Sequence, residues 1–282
     1  MPPAREQVIL VTGCSSGIGR ATALEAASRG HRVWATARRP ENLEGFSALE
    51  RVRTCPLDVT DRGSIAAAVA RLLDAEGRLD ALVNNAGYAQ YGAAERVPPE
   101  DWRRQFDVNF FGTLETTRAA LPALRAAGRS TIVNVSSVGG RIVVPFAAPY
   151  CASKHAIEAL SDALRVELAP FGVRVVVVEP GPIESRFAER ARLAVAPLLA
   201  DPGPYAPLYP GAERAMGDEF QRGRLPASAA ARAIVDAIEA DRPRPRYRVT
   251  AMARLLLPLS RFLPDRIVDA AMRRALRLPR RA

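Results

Sequence analysis

Val8-Ile9-Leu10-Val11-Thr12-Gly13-Cys14-Ser15-Ser16-Gly17-Ile18-Gly19 joins four apolar residues to a glycine-rich turn and the beginning of a helical pattern. A continuous apolar run of this kind is what a strand covered on both faces requires. The pattern from Gly17 to Arg29 reads as a helix, closed by Gly30. A strand that passes through glycines directly into a helix aims free backbone N–H groups and the positive helix end at one point, an arrangement suited to a diphosphate. Gly13, Gly17 and Gly19 permit close approach because a β-carbon would intrude there. Ser15, Ser16 and Ile18 complete the turn. The spacing is GxxxGxG rather than GxGxxG, so its position after the first strand carries more weight than the glycines themselves.

Outward from this segment, short β-rich runs alternate with helical patterns. Strands are expected at Val33–Ala37, Val52–Leu57, Ala81–Asn84, Thr131–Val135 and Val173–Val178, and helices at about 64–75, Pro99–Ala127, Tyr150–Ala169 and Ala227–Ala240. With no hairpin signals between them, these are right-handed βαβ units. The fold class is α/β, a doubly wound parallel sheet of Rossmann type. One domain is expected over residues 1–250. It contains a proline-rich, irregular insertion at about 182–226, beyond the carboxyl end of a strand, where it would cover a ligand. A basic amphipathic extension follows over 251–282, divided near Pro264, and a short last strand is expected near Tyr247–Thr250.

A chain of 282 residues, 48% hydrophobic and 25% charged, buries enough surface to need no staple. Cys14, Cys55 and Cys151 have no metal-ligand spacing, no metal is expected, and an unpatterned odd count fits a reducing cytoplasm. No apolar region follows the polar first residues, so no signal peptide is expected, and no run reaches a membrane span. The net charge of +10 resides entirely in residues 242–282, which hold twelve arginines against Asp265 and Asp269. Leucines interleave with those arginines, which favours peripheral membrane contact over nucleic acid; packing on the protein's own body or on a second subunit is an equal alternative. Lys154 is the chain's single lysine, a compact ammonium where arginine would be a planar fork.

The second strand ends Ala35-Thr36-Ala37-Arg38-Arg39. An acidic residue there would bond a ribose 2′-hydroxyl, whereas arginine suits a 2′-phosphate. NADP(H) is therefore the expected cofactor, with Arg38 the main contact and Ser16 a neutral neighbour. Farther on, Tyr150-Cys151-Ala152-Ser153-Lys154 places a phenol and an ammonium at i and i+4, on one face of one helical turn. A nearby ammonium favours phenolate and moves its pKa toward neutral, which predicts Tyr150 as proton donor or acceptor.

Over about residues 7–250 the chain resembles the short-chain dehydrogenase/reductase family. The resemblance rests on Thr12–Gly19, Asn84-Asn85-Ala86-Gly87, Asn109, Ser136-Ser137, Tyr150 with Lys154, and Pro180-Gly181, in order at the strand ends. Thr12–Ser16 and Ala35–Arg38 look most like the steroid and retinol dehydrogenase subgroup. The resemblance implies hydride transfer between NADP(H) and a ketone, aldehyde or alcohol. Tyr150 would exchange a proton with the substrate oxygen, Ser137 would hydrogen-bond that oxygen, and Lys154 would tune Tyr150 and hold the nicotinamide ribose. Asn109 would support a relaying water, Asp58 would meet the adenine, and Asn85, Ala86 and Gly87 would line the cofactor floor. Pro180, Gly181 and Ile183 would pack on the nicotinamide, with Ser185 bonding its carboxamide. It also implies a homodimer or homotetramer. Asn84 is expected to be structural, His31 to lie at the surface, and His155 to point away from Tyr150.

Tyr88, Tyr91, Val143, Phe146, Phe187, Leu193 and Tyr205 are the expected pocket walls. Their apolar character favours a hydrophobic steroid-, retinoid- or lipid-like substrate over a sugar. A 3-oxoacyl-thioester reductase on the same fold is the alternative enzyme. A non-catalytic NADP(H)-sensing protein is the alternative of another class, and it would be expected to lack one of Ser137, Tyr150 and Lys154.

Overall fold

The computed structural model describes residues 5–184, 187–210, 213, 224–260 and 262–278. In chain order these form β1 Val8–Val11, α1 Gly17–Ser28, β2 Arg32–Ala37, β3 Val52–Pro56, α2 Arg62–Glu76, β4 Ala81–Asn84, α3 Pro99–Phe106, α4 Gly112–Ala126, β5 Ser130–Val135, α5 Ala148–Glu167, β6 Val173–Glu179, α6 Phe187–Ala200, α7 Ala227–Glu239, β7 Arg246–Arg248, α8 Ala251–Ser260 and α9 Asp265–Ala275.

The strands form one seven-stranded parallel sheet in the order β3-β2-β1-β4-β5-β6-β7. β1 shows why its sequence is apolar throughout. Ile9 and Val11 face one core with Ala23, Val33, Val83, Ile234 and Val235, while Val8 and Leu10 face the other with Ile65, Leu72, Leu82, Leu124 and Ile132. Each fully buried Leu or Ile contributes about 2 kcal/mol of transfer free energy, so both sides of the sheet are held. The order reverses at β1, which pairs with β2 on one side and β4 on the other. A crevice at the carboxyl ends of strands beside such a reversal is where open α/β sheets bind ligands.

Several expectations are corrected. Pro99–Ala127 is not one helix: α3 and α4 are separated by a π-helical turn, Asp107–Phe111, an extra residue per turn that a 3.6-residue period does not reveal. The 182–226 segment is not irregular throughout. It contains α6, whose Ala191 and Val195 are buried one turn apart, and Pro197 is accommodated within that helix. β7 spans Arg246–Arg248 rather than Tyr247–Thr250, because Thr250 instead begins the next helix, its Oγ1 accepting from Ala253 N at 3.2 Å. His31 is fully buried. Its Nδ1 accepts from Gln7 N and its Nε2 lies 3.0 Å from Glu239 Oε1, because α7 packs across α1 and closes over it.

Cys14, Cys55 and Cys151 are free and buried. Of the extension, α8 is anchored by Ala253 and Leu257, whereas α9 has no buried residue. No described helix is long and apolar enough to cross a membrane.

Candidate active site

The glycine turn sits at the carboxyl end of β1. Gly13 and Gly17 have φ of 75° and 58°, which L side chains rarely adopt. The room that glycine leaves is taken by the protein itself: a β-carbon on Gly13 would lie 2.8 Å from Ala86 Cα, and one on Gly19 would collide with Gly13 O and the Asn85 amide. Asn85 Nδ2 donates to Thr12 O at 2.9 Å, and the Asn85 and Ala86 N–H groups donate to Thr12 Oγ1 at 3.0 Å. The Asn85-Ala86-Gly87 floor therefore buttresses the turn directly. Asn84 is structural as expected: its Nδ2 donates to Thr117 Oγ1 and Asn134 Oδ1.

At the first turn of α1 there is no acidic residue, and Ser16 does not cap it with its side chain. The helix end thus keeps its positive character toward the crevice. Arg38 and Arg39 stand exposed just beyond β2, and Arg38 makes no ion pair among the described residues. Asp58 follows β3, but its Oδ1 accepts from Thr60 N and Oγ1 at 3.0 and 2.8 Å, so that oxygen shapes its own loop. These residues fit a nicotinamide dinucleotide: a backbone N–H cradle at a helix N-terminus with a guanidinium nearby.

Ser137 lies two residues beyond β5 and Tyr150 in the first turn of α5, and the Ser137 hydroxyl acts on the Tyr150 phenol. Ser137 Oγ also accepts from Gly139 N at 3.1 Å, which fixes its rotamer. Burial raises the Tyr150 phenol above its ordinary value, and Ser137 acts in the opposite direction. Lys154, expected to tune that phenol, is held here by the end of β5. Its Nζ donates to Val135 O at 2.8 Å, and burial brings its own pKa down to about 8 against the raising influence of Glu158. Spacing along a helix fixes proximity, but it does not say which acceptor the amine chooses.

Asn109 lies in the π turn. Its Oδ1 accepts from Tyr88 N at 3.1 Å, and its Nδ2 donates to Tyr88 O and Ser153 Oγ at 3.0 Å. The amide thus ties the Tyr88 loop to α5. Gly87 sits between Asn109 and Lys154: a β-carbon there would lie 3.0 Å from Asn109 Oδ1 and 3.8 Å from Lys154 Nζ.

Pro180 O accepts from Val138 N at 3.0 Å, holding the Pro180-Gly181 segment against the Ser137 loop. Gly181 is backed by Thr250, and Ile183 bridges to Leu225. Ser185 lies outside the described residues. His155 is directed along its own helix, its Nδ1 2.9 Å from Cys151 O, as expected of a residue off the Tyr150 face.

The Tyr150 ring meets Phe187 edge-on at 5.5 Å. Tyr91, Phe146 and Tyr205 pack with Ala93, Val195 and Tyr209 in one apolar cluster beside it. Leu193 is not part of this wall. It is 69% exposed, because α6 turns Ala191 and Val195 inward and Leu193 away. Two features escaped the sequence reading. Phe146 holds a φ of 67°, its carbonyl accepting from Gly92 N at 2.8 Å and its ring 5.9 Å from Tyr209. Strained non-glycine residues of this kind persist where surrounding contacts over-determine them. The second is a buried carboxylate network behind Lys154, which no local motif announces.

The profile described as short chain dehydrogenase matches residues 7–195. The chain belongs to the short-chain dehydrogenase family. Among the family's members, it is 34% identical to a 3-ketodihydrosphingosine reductase of Bacteroides thetaiotaomicron, over 95% of this chain and 97% of that one. It is 35% identical to retinol dehydrogenase 16 of Homo sapiens, over 95% and 88%, in keeping with the subgroup resemblance. A solved short-chain dehydrogenase of Burkholderia cenocepacia in complex with NADP superposes with a TM-score of 0.75 at 28% identity, covering 95% of this chain and 97% of that chain. As a family member the chain is an oxidoreductase of the CH–OH/keto type that binds a nicotinamide cofactor and small-molecule substrates.

Proposed function

We propose that this short-chain dehydrogenase transfers hydride between NADP(H) and a hydrophobic, lipid-like ketone, aldehyde or alcohol, with Ser137, Tyr150 and Lys154 as its catalytic residues. The observation that carries this reading is the buried Tyr150 phenol with Ser137 acting on it and the chain's only lysine one helical turn further along α5. NADP(H), when bound, supplies or accepts the hydride at the substrate carbon. Tyr150 passes its proton to the carbonyl oxygen in reduction and takes it back in oxidation. Ser137 donates a hydrogen bond to that oxygen and stabilises the charge that develops on it. Lys154, charged below about pH 8, favours the phenolate once its ammonium turns from Val135 O toward the cleft. Asn109 holds the loop that places Gly87 beside the amine.

Arg38 and the absence of an acid at the end of β2 support NADP(H) over NAD(H). The B. cenocepacia relative carries NADP by its own description. An apolar wall of Tyr91, Phe146, Phe187 and Tyr209 supports a hydrophobic substrate, and two relatives are named for a ketosphingoid base and for retinol. The decisive experiment follows nicotinamide absorbance with a panel of long-chain ketones, retinoids, steroids and acyl thioesters. NADPH-dependent reduction of a free lipid carbonyl is expected. A preference for NADH, or activity confined to thioesters, would overturn the cofactor or the substrate reading respectively.

The same proposal extends to the surface of the extension. Phe262 is 83% exposed, and Leu255, Leu263 and Ile267 are exposed too, in an extension whose sequence holds eight arginines against two aspartates. Apolar side chains set among cations suit an anionic membrane surface, the place where a lipid substrate would be met.

A further inference from the structure

Behind Lys154, away from the cleft, three carboxylates and two guanidiniums lie together. Glu158 follows Lys154 by one turn on α5 and is 4% exposed; Glu179, the last residue of β6, is fully buried. Arg246 Nη2, from β7, contacts Glu158 Oε2 at 3.1 Å and Asp162 Oδ1 at 2.7 Å, and its Nε approaches Glu179 Oε1 at 3.4 Å. Arg248 Nε donates to Glu179 Oε2 at 3.2 Å. From the loop after β5, Arg141 adds positive charge facing Glu179. Glu158 Oε1 and the Ser136 hydroxyl are both buried and make no hydrogen bond among the described residues. Gly140 separates them, since a β-carbon there would touch both Ser136 Oγ and the Glu158 side chain.

Such an assembly is costly to bury. A stability role alone would be met by pairing both oxygens of Glu158, yet Arg246 takes only Oε2. The other oxygen is left on a carboxylate one helical turn from the ammonium.

We propose that Glu158 is a positioning residue for the reaction: its half-paired carboxylate, anchored by Arg246 one helical turn from Lys154, keeps that amine charged. This rests on the reading of Lys154 as part of the catalytic set. Burial and the like charge of Glu158 raise Glu179, while burial lowers Lys154 and Glu158 acts against that lowering. The carboxylate thus offsets part of the desolvation that would otherwise neutralise the amine at working pH. The groups facing Glu158 are Lys154 and Asp162 from its own helix, Glu179 from β6, Arg246 from β7 and Ser136 from the loop after β5. Arg248 and Arg141 act on it through Glu179.

Because Lys154 is the only lysine in the chain, protein grown with lysine isotopically labelled at the ε position gives one side-chain resonance, which reports this amine without mutational assignment. Its pH titration in the full chain is the test. Wild type is expected to titrate near pH 8. Glu158→Gln should lower the midpoint by about one unit or more, the effect of losing a close opposite charge, and should move the alkaline limb of the kcat profile down by the same amount with little change in KM. Glu158→Asp, which keeps a carboxylate for Arg246, should fall between the two. Midpoints equal to wild type in both variants, or in the Asp variant alone if the Gln variant does not fold, would overturn the proposal. The resonance needs no turnover. A failure here therefore leaves the Tyr150 chemistry standing, whereas a wild type inactive on every carbonyl would remove the functional reading and leave the titration intact.

Discussion

The catalytic body and the carboxyl-terminal extension use the same residue, arginine, in opposite ways. Residues 1–241 carry equal numbers of basic and acidic side chains, whereas 242–282 hold the entire excess of +10. Within the body, several arginines are committed to carboxylates: Arg29 bridges Glu25, Asp236 and Glu239, Arg78 pairs with Asp80, and Arg246, though counted with the basic segment, closes the network behind Lys154. In the extension, Arg266, Arg273 and Arg274 are exposed and make no ion pair among the described residues. Paired charge fixes elements of this fold to one another. Unpaired charge beside exposed Phe262 and Leu263 has no such work to do inside the chain. Arg38, at the end of β2, likewise makes no ion pair among the described residues and is exposed.

Substitutions in the two regions should therefore affect different measurements. The largest effect belongs to the body: Ser137→Ala is expected to lower kcat about a hundredfold or more, as loss of an oxyanion donor does, with NADPH affinity nearly unchanged. An effect on binding alone would assign Ser137 to structure. Arg38→Ala comes next. Losing a charge-assisted contact costs about 2 kcal/mol, so KM for NADPH should rise roughly thirtyfold while that for NADH barely moves. Equal changes for both cofactors would place the 2′-phosphate elsewhere. Smallest in catalytic terms is the extension. Phe262→Ser with Leu263→Ser, or Arg273→Glu with Arg274→Glu, should leave kcat on a soluble ketone within about twofold, since exposed substitutions have little effect on the fold. The same variants should release the protein from phosphatidylglycerol vesicles in co-sedimentation at low salt. Wild type bound equally to neutral vesicles, or to none, would contradict the membrane reading, and loss of self-association in the variants would point to a second copy of the chain instead.

Most of the framework was legible in the sequence because it depends on local patterns. The apolar run Val8–Val11 and the valine-rich stretch Val173–Val178 read as strands, and the glycine turn announces the β1–α1 junction. What escaped depends on contacts distant in sequence. The π turn that places Asn109 looks like ordinary helix in a linear pattern. His31 follows a helix cap, and only the later α7 buries it. The inward and outward faces of α6 could not be assigned while its prolines suggested a loop. The choice of Val135 O by Lys154 depends on where β5 ends, and the pairing of Glu158 with Arg246 spans 88 residues. The glycines were assigned to ligand approach, whereas at Gly13 and Gly19 the protein's own backbone and Asn85 fill the space.

The central claim is that the phenol of Tyr150 carries the reaction's proton, and Tyr150→Phe tests it most directly because it removes one oxygen and leaves the ring against Phe187. With a lipid carbonyl as substrate, kcat should fall by a factor of about 1,000 or more, while NADPH binding, followed by fluorescence, stays close to wild type. A variant that retained a tenth of its turnover would contradict the account, and the proton donor would have to be sought elsewhere in the cleft.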